Sequence, residues 1–261
     1  MAIQYAIHHS LCLNEVSLLP QNQDITEWLN LAIELLHAGK FSQAEEAIRK
    51  ALDIDPTYAN SWNELGIVLG FQGKYHEAEE VFKEATNLDP TNVSSWANLG
   101  TTLSQLEKHE EAEEAYRKST ELNPKDASVW IDLGDSIRKQ GKLEEAEEIY
   151  RKAIEVDASL GKAWFNLGMT QVTLGEIEKS EYALRKAVEL LPDSPQAWYN
   201  LGNLLGRQGR NEEAEEPFRR AIELSPKSEL YWTGLGVVLR EQGKQSEAKE
   251  AFDQARELVN P

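Results

Sequence analysis

The side chains most capable of chemistry in this 261-residue chain are its histidines, its one cysteine and its clustered carboxylates. His8 and His9 with Cys12 could offer imidazole and thiolate ligands or a nucleophile with a base, but the set lacks the further ligands that a tetrahedral zinc site needs. His37, His76 and His109 stand alone in sequence. Glutamate runs such as 212–216 could gather a cation. At helical spacing, and recurring along the chain, they read as a solvated helix face instead. A single cysteine allows no internal disulfide. Neither G-x-x-x-x-G-K-[ST] nor G-x-G-x-x-G occurs, so no phosphate cradle is encoded. The chain reads as non-catalytic, with no catalytic residue, no metal and no cofactor expected.

Charge narrows the partners. With 27 Lys+Arg against 45 Asp+Glu, the net charge of −18 opposes nucleic acid, whose binders need cations to displace counterions. It opposes adhesion to an anionic membrane surface for the same reason. No run approaches the roughly 18 apolar residues of a membrane span. The first residues, MAIQYAIHHSLCLNEVSLLP, carry no Lys or Arg ahead of their mildly apolar stretch, unlike a secretory signal. A cytoplasmic location is expected.

What must position any functional side chain is visible in the tryptophans. Trp28, Trp62, Trp96, Trp130, Trp164, Trp198 and Trp232 are all seven in the chain, and successive ones lie 34 residues apart. A fixed period of this length marks a repeat architecture. In register from Ile25 the chain divides into 25–58, 59–92, 93–126, 127–160, 161–194, 195–228 and 229–261, with 1–24 left over. Each unit predicts two helices. Places four, seven and eleven form one apolar face, as in Trp62, Leu65 and Leu69. Asp24 with Glu27 suggests a capping box, and Ser194 with Pro195 a cap followed by a first-turn proline. Glycine at place fifteen (Gly39, Gly73, Gly141, Gly175, Gly209, Gly243) suits a left-handed helix end. Proline then ends most second helices. Glycine at place eight costs roughly 1 kcal/mol against alanine inside a helix, which implies close helix packing there.

The pattern W-x2-L-G, with a small residue at twenty, an aromatic at twenty-four (Phe82, Tyr116, Tyr150, Phe218, Phe252), alanine at twenty-seven and proline at thirty-two, resembles the tetratricopeptide repeat. The resemblance spans 25–261. It implies an all-α, right-handed superhelical solenoid of helix-turn-helix repeats, whose first helices line a concave groove. Tryptophans are then core spacers. Several positions depart from the pattern: Glu107 for the loop glycine, Ser119 for alanine, Ala158 for proline, and Gln171 for an apolar residue. Pro217 falls inside a second helix, where it should kink the helix or remove a hydrogen bond.

By the same resemblance the groove is lined by places two, five, six, nine, twelve and thirteen. Place six holds Asn30, Asn98, Asn166 and Asn200, and Asn203 follows at a place nine. An amide can bond an extended peptide's main chain, as in the asparagine ladders of O-GlcNAc transferases and kinesin light chains; the alternative is that asparagine is simply common at this place of the repeat. Groove places hold five cations, Arg138, Lys139, Lys162, Arg207 and Arg240, against four acids, while the remaining surface carries −19. Leu29, Ile33, Ile67 and Phe71 make the early repeats apolar, and Tyr199 adds an aromatic later. The expected activity is a scaffold or adaptor that binds an extended peptide or helix of a protein partner bearing acidic and apolar side chains. The alternatives are a self-assembling structural scaffold or the recognition module of a larger complex such as a glycosyltransferase. The lysine and asparagine spacing of co-chaperones that clamp the carboxylate of heat-shock chaperones does not occur. Residues 1–24, rich in Ile and Leu, are expected to contribute a non-repeat cap. Arg256 and Lys249 alter the last unit where another would stack.

Overall fold

A computed structural model describes residues 24–259. The described residues form fourteen helices and no strand. In chain order they are α1 (Ile25–His37), α2 (Phe41–Ile54), α3 (Ala59–Phe71), α4 (Tyr75–Leu88), α5 (Val93–Gln105), α6 (His109–Leu122), α7 (Ala127–Lys139), α8 (Leu143–Val156), α9 (Gly161–Leu174), α10 (Ile177–Leu190), α11 (Pro195–Arg207), α12 (Asn211–Leu224), α13 (Glu229–Glu241) and α14 (Gln245–Val259). They pair as seven helix-turn-helix repeats. The chain forms two compact units that divide between Pro124 and Lys125, the first with three repeats and the second with four. The cap expected of residues 1–24 lies outside the described residues, except for Asp24.

Within each unit the odd-numbered, first helices pack side by side as well as against their own second helices, with their backbones close. Second helices reach one another through long side chains, as in Arg185–Glu213 at 3.4 Å and Arg219–Glu247 at 3.1 Å. Each unit therefore bends with its first helices on the inner face. Fully buried side chains such as Leu65, Leu69 and Phe82 in the first unit, and Tyr150, Leu184 and Phe218 in the second, fill the space between the layers.

The place-eight glycines explain how the layers approach. A Cβ on Gly66 would lie 2.6 Å from the Phe82 ring, one on Gly100 2.7 Å from Tyr116, and one on Gly134 2.6 Å from Tyr150. The aromatic at twenty-four lies flat on the bare backbone of its partner helix, which offsets the helix-propensity cost of glycine.

Helix ends follow the sequence closely. Ser194 Oγ accepts from Ala197 N at 3.3 Å, with Pro195 in the first turn. Asp24 caps α1 through Thr26 N at 3.2 Å. All six place-fifteen glycines have φ between 71° and 81°, and Glu107 adopts φ 60° in the same position. A side chain in this region is strained by about 1 kcal/mol. Glu107→Gly is therefore expected to stabilise the first unit by about 1 kcal/mol, read as a higher urea midpoint at an unchanged slope.

Two features correct the sequence expectation. Tryptophans are half-buried rather than core. An indole Nε1 donates to the carbonyl six residues earlier, as in Trp62 to Pro56 at 2.8 Å, Trp96 to Pro90 at 2.9 Å, Trp198 to Pro192 at 2.9 Å and Trp232 to Pro226 at 2.9 Å. They pin the loop between repeats. Ala158 serves as well as proline, since Trp164 still reaches its carbonyl at 2.9 Å.

The glutamate runs are only partly a solvated face. The glutamate at place twenty-one is drawn in and bridges repeats. Glu45 accepts from Arg49 at 2.8 Å on its own helix, and from Lys74 at 3.0 Å and Gln72 at 3.1 Å in the next repeat. Glu79, with a side chain 4% exposed, does the same with Lys83 and Lys108, both at 2.7 Å. Glu215 repeats the arrangement with Arg219, Gln242 and Lys244. Burial alone would raise the Glu45 pKa, but its three donors outweigh that and hold it at about 2.

Pro217 sits buried inside α12, which continues across it as one helix. Having no N–H to offer, it removes one hydrogen bond from the helix. Ser119 is accommodated by donating its hydroxyl to the Val93 carbonyl at 3.1 Å.

Candidate functional site

The first helices carry the residues singled out from sequence, and the fold distributes them unevenly. In the first unit, Phe71 is 64% exposed and stacks on Phe41 with ring centroids 5.8 Å apart; Ile33 is 38% exposed. Leu29 and Ile67 are half-buried, and Asn30 is exposed. Asn98 is turned inward and donates Nδ2 to Asn63 Oδ1 at 3.1 Å.

In the second unit two sites are distinct. The first is a polar network around Asp135 on α7. Tyr150 Oη donates to Asp135 Oδ1 at 2.6 Å, and Asn166 Nδ2 donates to the same oxygen at 2.7 Å. Lys162 lies 3.4 Å from both Asp135 and Asp132. Arg138 Nε donates to Tyr150 Oη at 3.3 Å. Burial raises the Tyr150 hydroxyl pKa, and the Asp135 charge adds to it. Burial also raises Asp132, with Lys162 only partly offsetting it. In the first unit, burial raises Glu64. The charges of Lys162, Asp132 and Asp135 are thus largely spent on one another. Asn166 is 9% exposed, and its amide donor serves this network.

The second is a cleft of about 510 Å³ between α11 and α13, floored by α12. Tyr199, Asn203 and Arg207 come to it from α11, and Leu230, Thr233, Val237 and Glu241 from α13. Gly234 stands at place six, where four other repeats have asparagine. A Cβ there would meet the Phe218 ring, so glycine lets the cleft reach down to that ring, which is itself buried beneath it. Tyr199 lies against Phe218 edge to face at 5.8 Å and beside Tyr231 at 5.1 Å. Sequence spacing pointed to Tyr199, Asn203 and Arg207; it did not single out Phe218, Leu230 or Gly234, although the missing amide at 234 was the available signal.

The five groove cations separate by their partners. Arg240 pairs with Glu241 at 3.2 Å and lies 5.9 Å from the Phe252 ring. Lys162 and Arg138 belong to the network above. Arg207 and Lys139 are exposed and form no ion pair among the described residues. The asparagine column is likewise not uniform: Asn200 donates Nδ2 to Gln196 O of its own helix at 2.8 Å. With one amide N–H engaged in this way, the second N–H and the side-chain oxygen remain to meet a ligand's main chain.

Among the described residues no cluster of His, Cys, Asp and Glu could hold a metal ion, and no helix is long and apolar enough to cross a membrane. His8, His9 and Cys12 lie outside the described residues.

Comparison with known proteins agrees with this architecture. Residues 11–160 and 92–225 match the family described as the cilia and flagella-associated protein 70 C-terminal domain, a tetratricopeptide-repeat region, and residues 193–260 match the tetratricopeptide repeat itself. No curated protein matches the chain significantly. Among solved structures, a tetratricopeptide repeat protein from Parabacteroides merdae superposes with a TM-score of 0.68 at 19% identity, over 91% of this chain and 94% of that one. YrrB, described as a tetratricopeptide-repeat protein with an unusual peptide-binding site, gives 0.60 at 27% identity over 68% of this chain and 91% of its own. PilF of Pseudomonas aeruginosa gives 0.66 at 17% identity over 77% and 91%. With its 34-residue period, its paired helices and these matches, the chain belongs to the tetratricopeptide-repeat family.

Proposed function

We propose that the protein is a recognition scaffold that binds a segment of a partner protein on its first-helix face. In the second unit, the cleft between α11 and α13 takes an apolar or aromatic side chain, while Arg207 bonds an acidic side chain or a carboxyl terminus next to it. The observation that carries this reading is Arg207 itself, an exposed cation without an ion pair among the described residues, on the rim of a cleft floored by Phe218. A guanidinium presents a planar fork of donors suited to a carboxylate. Apolar burial in the cleft supplies affinity, and the acidic remainder of the surface repels an acidic segment docked elsewhere. YrrB, similar in sequence and fold, is described as having a peptide-binding site, which supports assigning a peptide ligand here. Lys162 is a weaker candidate than Arg207 because its charge is already matched by Asp132 and Asp135.

Selection of a displayed random-peptide library on the wild-type protein tests this. Selected peptides are expected to combine acidic and aromatic or aliphatic residues. Arg207→Glu should weaken their binding by at least tenfold, reduce its salt dependence and leave helicity intact. Basic peptides, or peptides indifferent to Arg207→Glu, would overturn the assignment.

A further inference from the structure

A second pocket lies on the opposite, second-helix side of the second unit. It occupies about 640 Å³ between α8 and α10, with α9 as its floor. The fifth repeat is irregular there in two ways. Place eleven is aliphatic in the six other repeats and is Gln171 here; place twenty-two is glutamate in the six others and is Tyr182 here. Tyr182 is 60% exposed and meets Trp164 edge to face at 5.7 Å, making two aromatic walls at a right angle. Leu167 completes the apolar lining, and Glu155 and Glu178 stand at the rim without an ion pair among the described residues.

Gln171 at the floor is the decisive residue. It is 1% exposed, and its Nε2 donates to Glu147 at 2.8 Å. That bond replaces the one Gln72 and Gln242 make from place fourteen, where this repeat has Leu174. The amide oxygen gains nothing from the exchange: Gln171 Oε1 is buried with no hydrogen-bond donor, and Glu176 Oε2 in the adjacent turn is buried in the same condition. Buried acceptors are normally satisfied, so an unmatched one lining a pocket calls for a donor from outside. The rim cations do not supply it. Arg151 is held by Glu147 at 2.6 Å and Lys179 by Glu176 at 2.8 Å.

We infer that this pocket binds an arginine side chain of a partner protein. An aliphatic stem fits between Trp164 and Leu167, a guanidinium stacks on the tyrosine and tryptophan faces, and its N–H groups reach the rim carboxylates and, as the buried amide turns toward the pocket, Gln171 Oε1. The strongly acidic surface outside the first-helix face brings such a residue to this side and keeps acidic segments away. The site is independent of the α11–α13 cleft, so one face receives acidic segments and the other receives basic ones.

The test is a titration of the protein with N-acetyl-arginine methylamide, followed by the amide and indole N–H resonances. Trp164 is a built-in reporter because its indole N–H is anchored on Ala158 O. A saturable shift at Trp164 and Tyr182 is expected. It should weaken at least tenfold in Gln171→Leu, which restores an aliphatic residue at place eleven, and in Tyr182→Glu, which restores the common residue at place twenty-two. The norleucine and citrulline derivatives should bind at least tenfold more weakly. Tyr182→Glu covers the case in which loss of the Glu147 bond unfolds Gln171→Leu. Equal response to the norleucine derivative, an unsaturable response, or full binding by a folded Tyr182→Glu would overturn the inference.

Discussion

Replacing Trp198 by alanine is expected to destabilise the second unit by about 3 kcal/mol, among the largest effects of any single change. The ring is half-buried against the cluster of Leu201, Leu205 and Phe218, so truncation removes apolar contact and leaves a space the backbone only partly closes. It also removes the Nε1 bond to Pro192 O, leaving the loop between α10 and α11 without its pin. Trp198→Phe separates the contributions: it keeps most of the ring contact and loses only the bond, at a cost of about 1 kcal/mol. Urea unfolding followed by circular dichroism measures both. A repeat array is stabilised chiefly through neighbouring interfaces, so the loss should appear as earlier unfolding of the second unit. Equal midpoints for Trp198→Ala and Trp198→Phe would show that the bond, and not the ring, matters.

Acidification is expected to unfold the protein through the glutamates that bridge repeats. Glu45, Glu79, Glu147, Glu181 and Glu215 all have pKa values held below the ordinary glutamate value: in each, burial acts upward and is outweighed by hydrogen bonds from cations or glutamine. A folded-state pKa below the unfolded one contributes stability that is fully present above the unfolded value and lost as pH falls toward the folded one. The window therefore runs from about 4.5 down to about 2, the value for Glu45. Because Arg49 and Lys74 are about half exposed, Glu45 alone contributes on the order of 1–2 kcal/mol. Glu64 and Asp132 oppose the trend, since burial raises both and their protonation favours the folded state, but they are two against five. The melting temperature should fall steeply between pH 4.5 and pH 2. Glu45→Gln should flatten that fall and lower stability at pH 7. A melting temperature independent of pH over this window would rule out the bridging role.

The architecture was legible in sequence because a repeat presents the same local problem seven times. Tryptophan at place four, glycine at eight and fifteen and the aromatic at twenty-four are local choices, and each acts within one helix pair or its adjoining loop. The Gly134–Tyr150 approach and the left-handed glycines could therefore be expected before any coordinates. Glu107 shows how firmly the period rules, as it keeps a glycine's backbone conformation at a cost. The net charge of −18 by itself opposes nucleic acid and anionic lipid as partners.

Only the tertiary structure decided which polar groups remain available. Lys162 and Arg207 are alike in sequence, both cations at groove places. In the fold, Lys162 meets Asp132 and Asp135 from the preceding repeat while Arg207 meets no acid among the described residues, because pairing depends on what the neighbouring helix presents 30 or so residues away. The glutamate at place twenty-one looks no different from its neighbour at twenty-two, yet one turns toward the next repeat and the other toward water. Gln171 read as an irregularity. Stacking α9 against α8 gave its nitrogen a partner in Glu147 and left its oxygen without one, a distinction that exists only once the helices are packed and water is excluded.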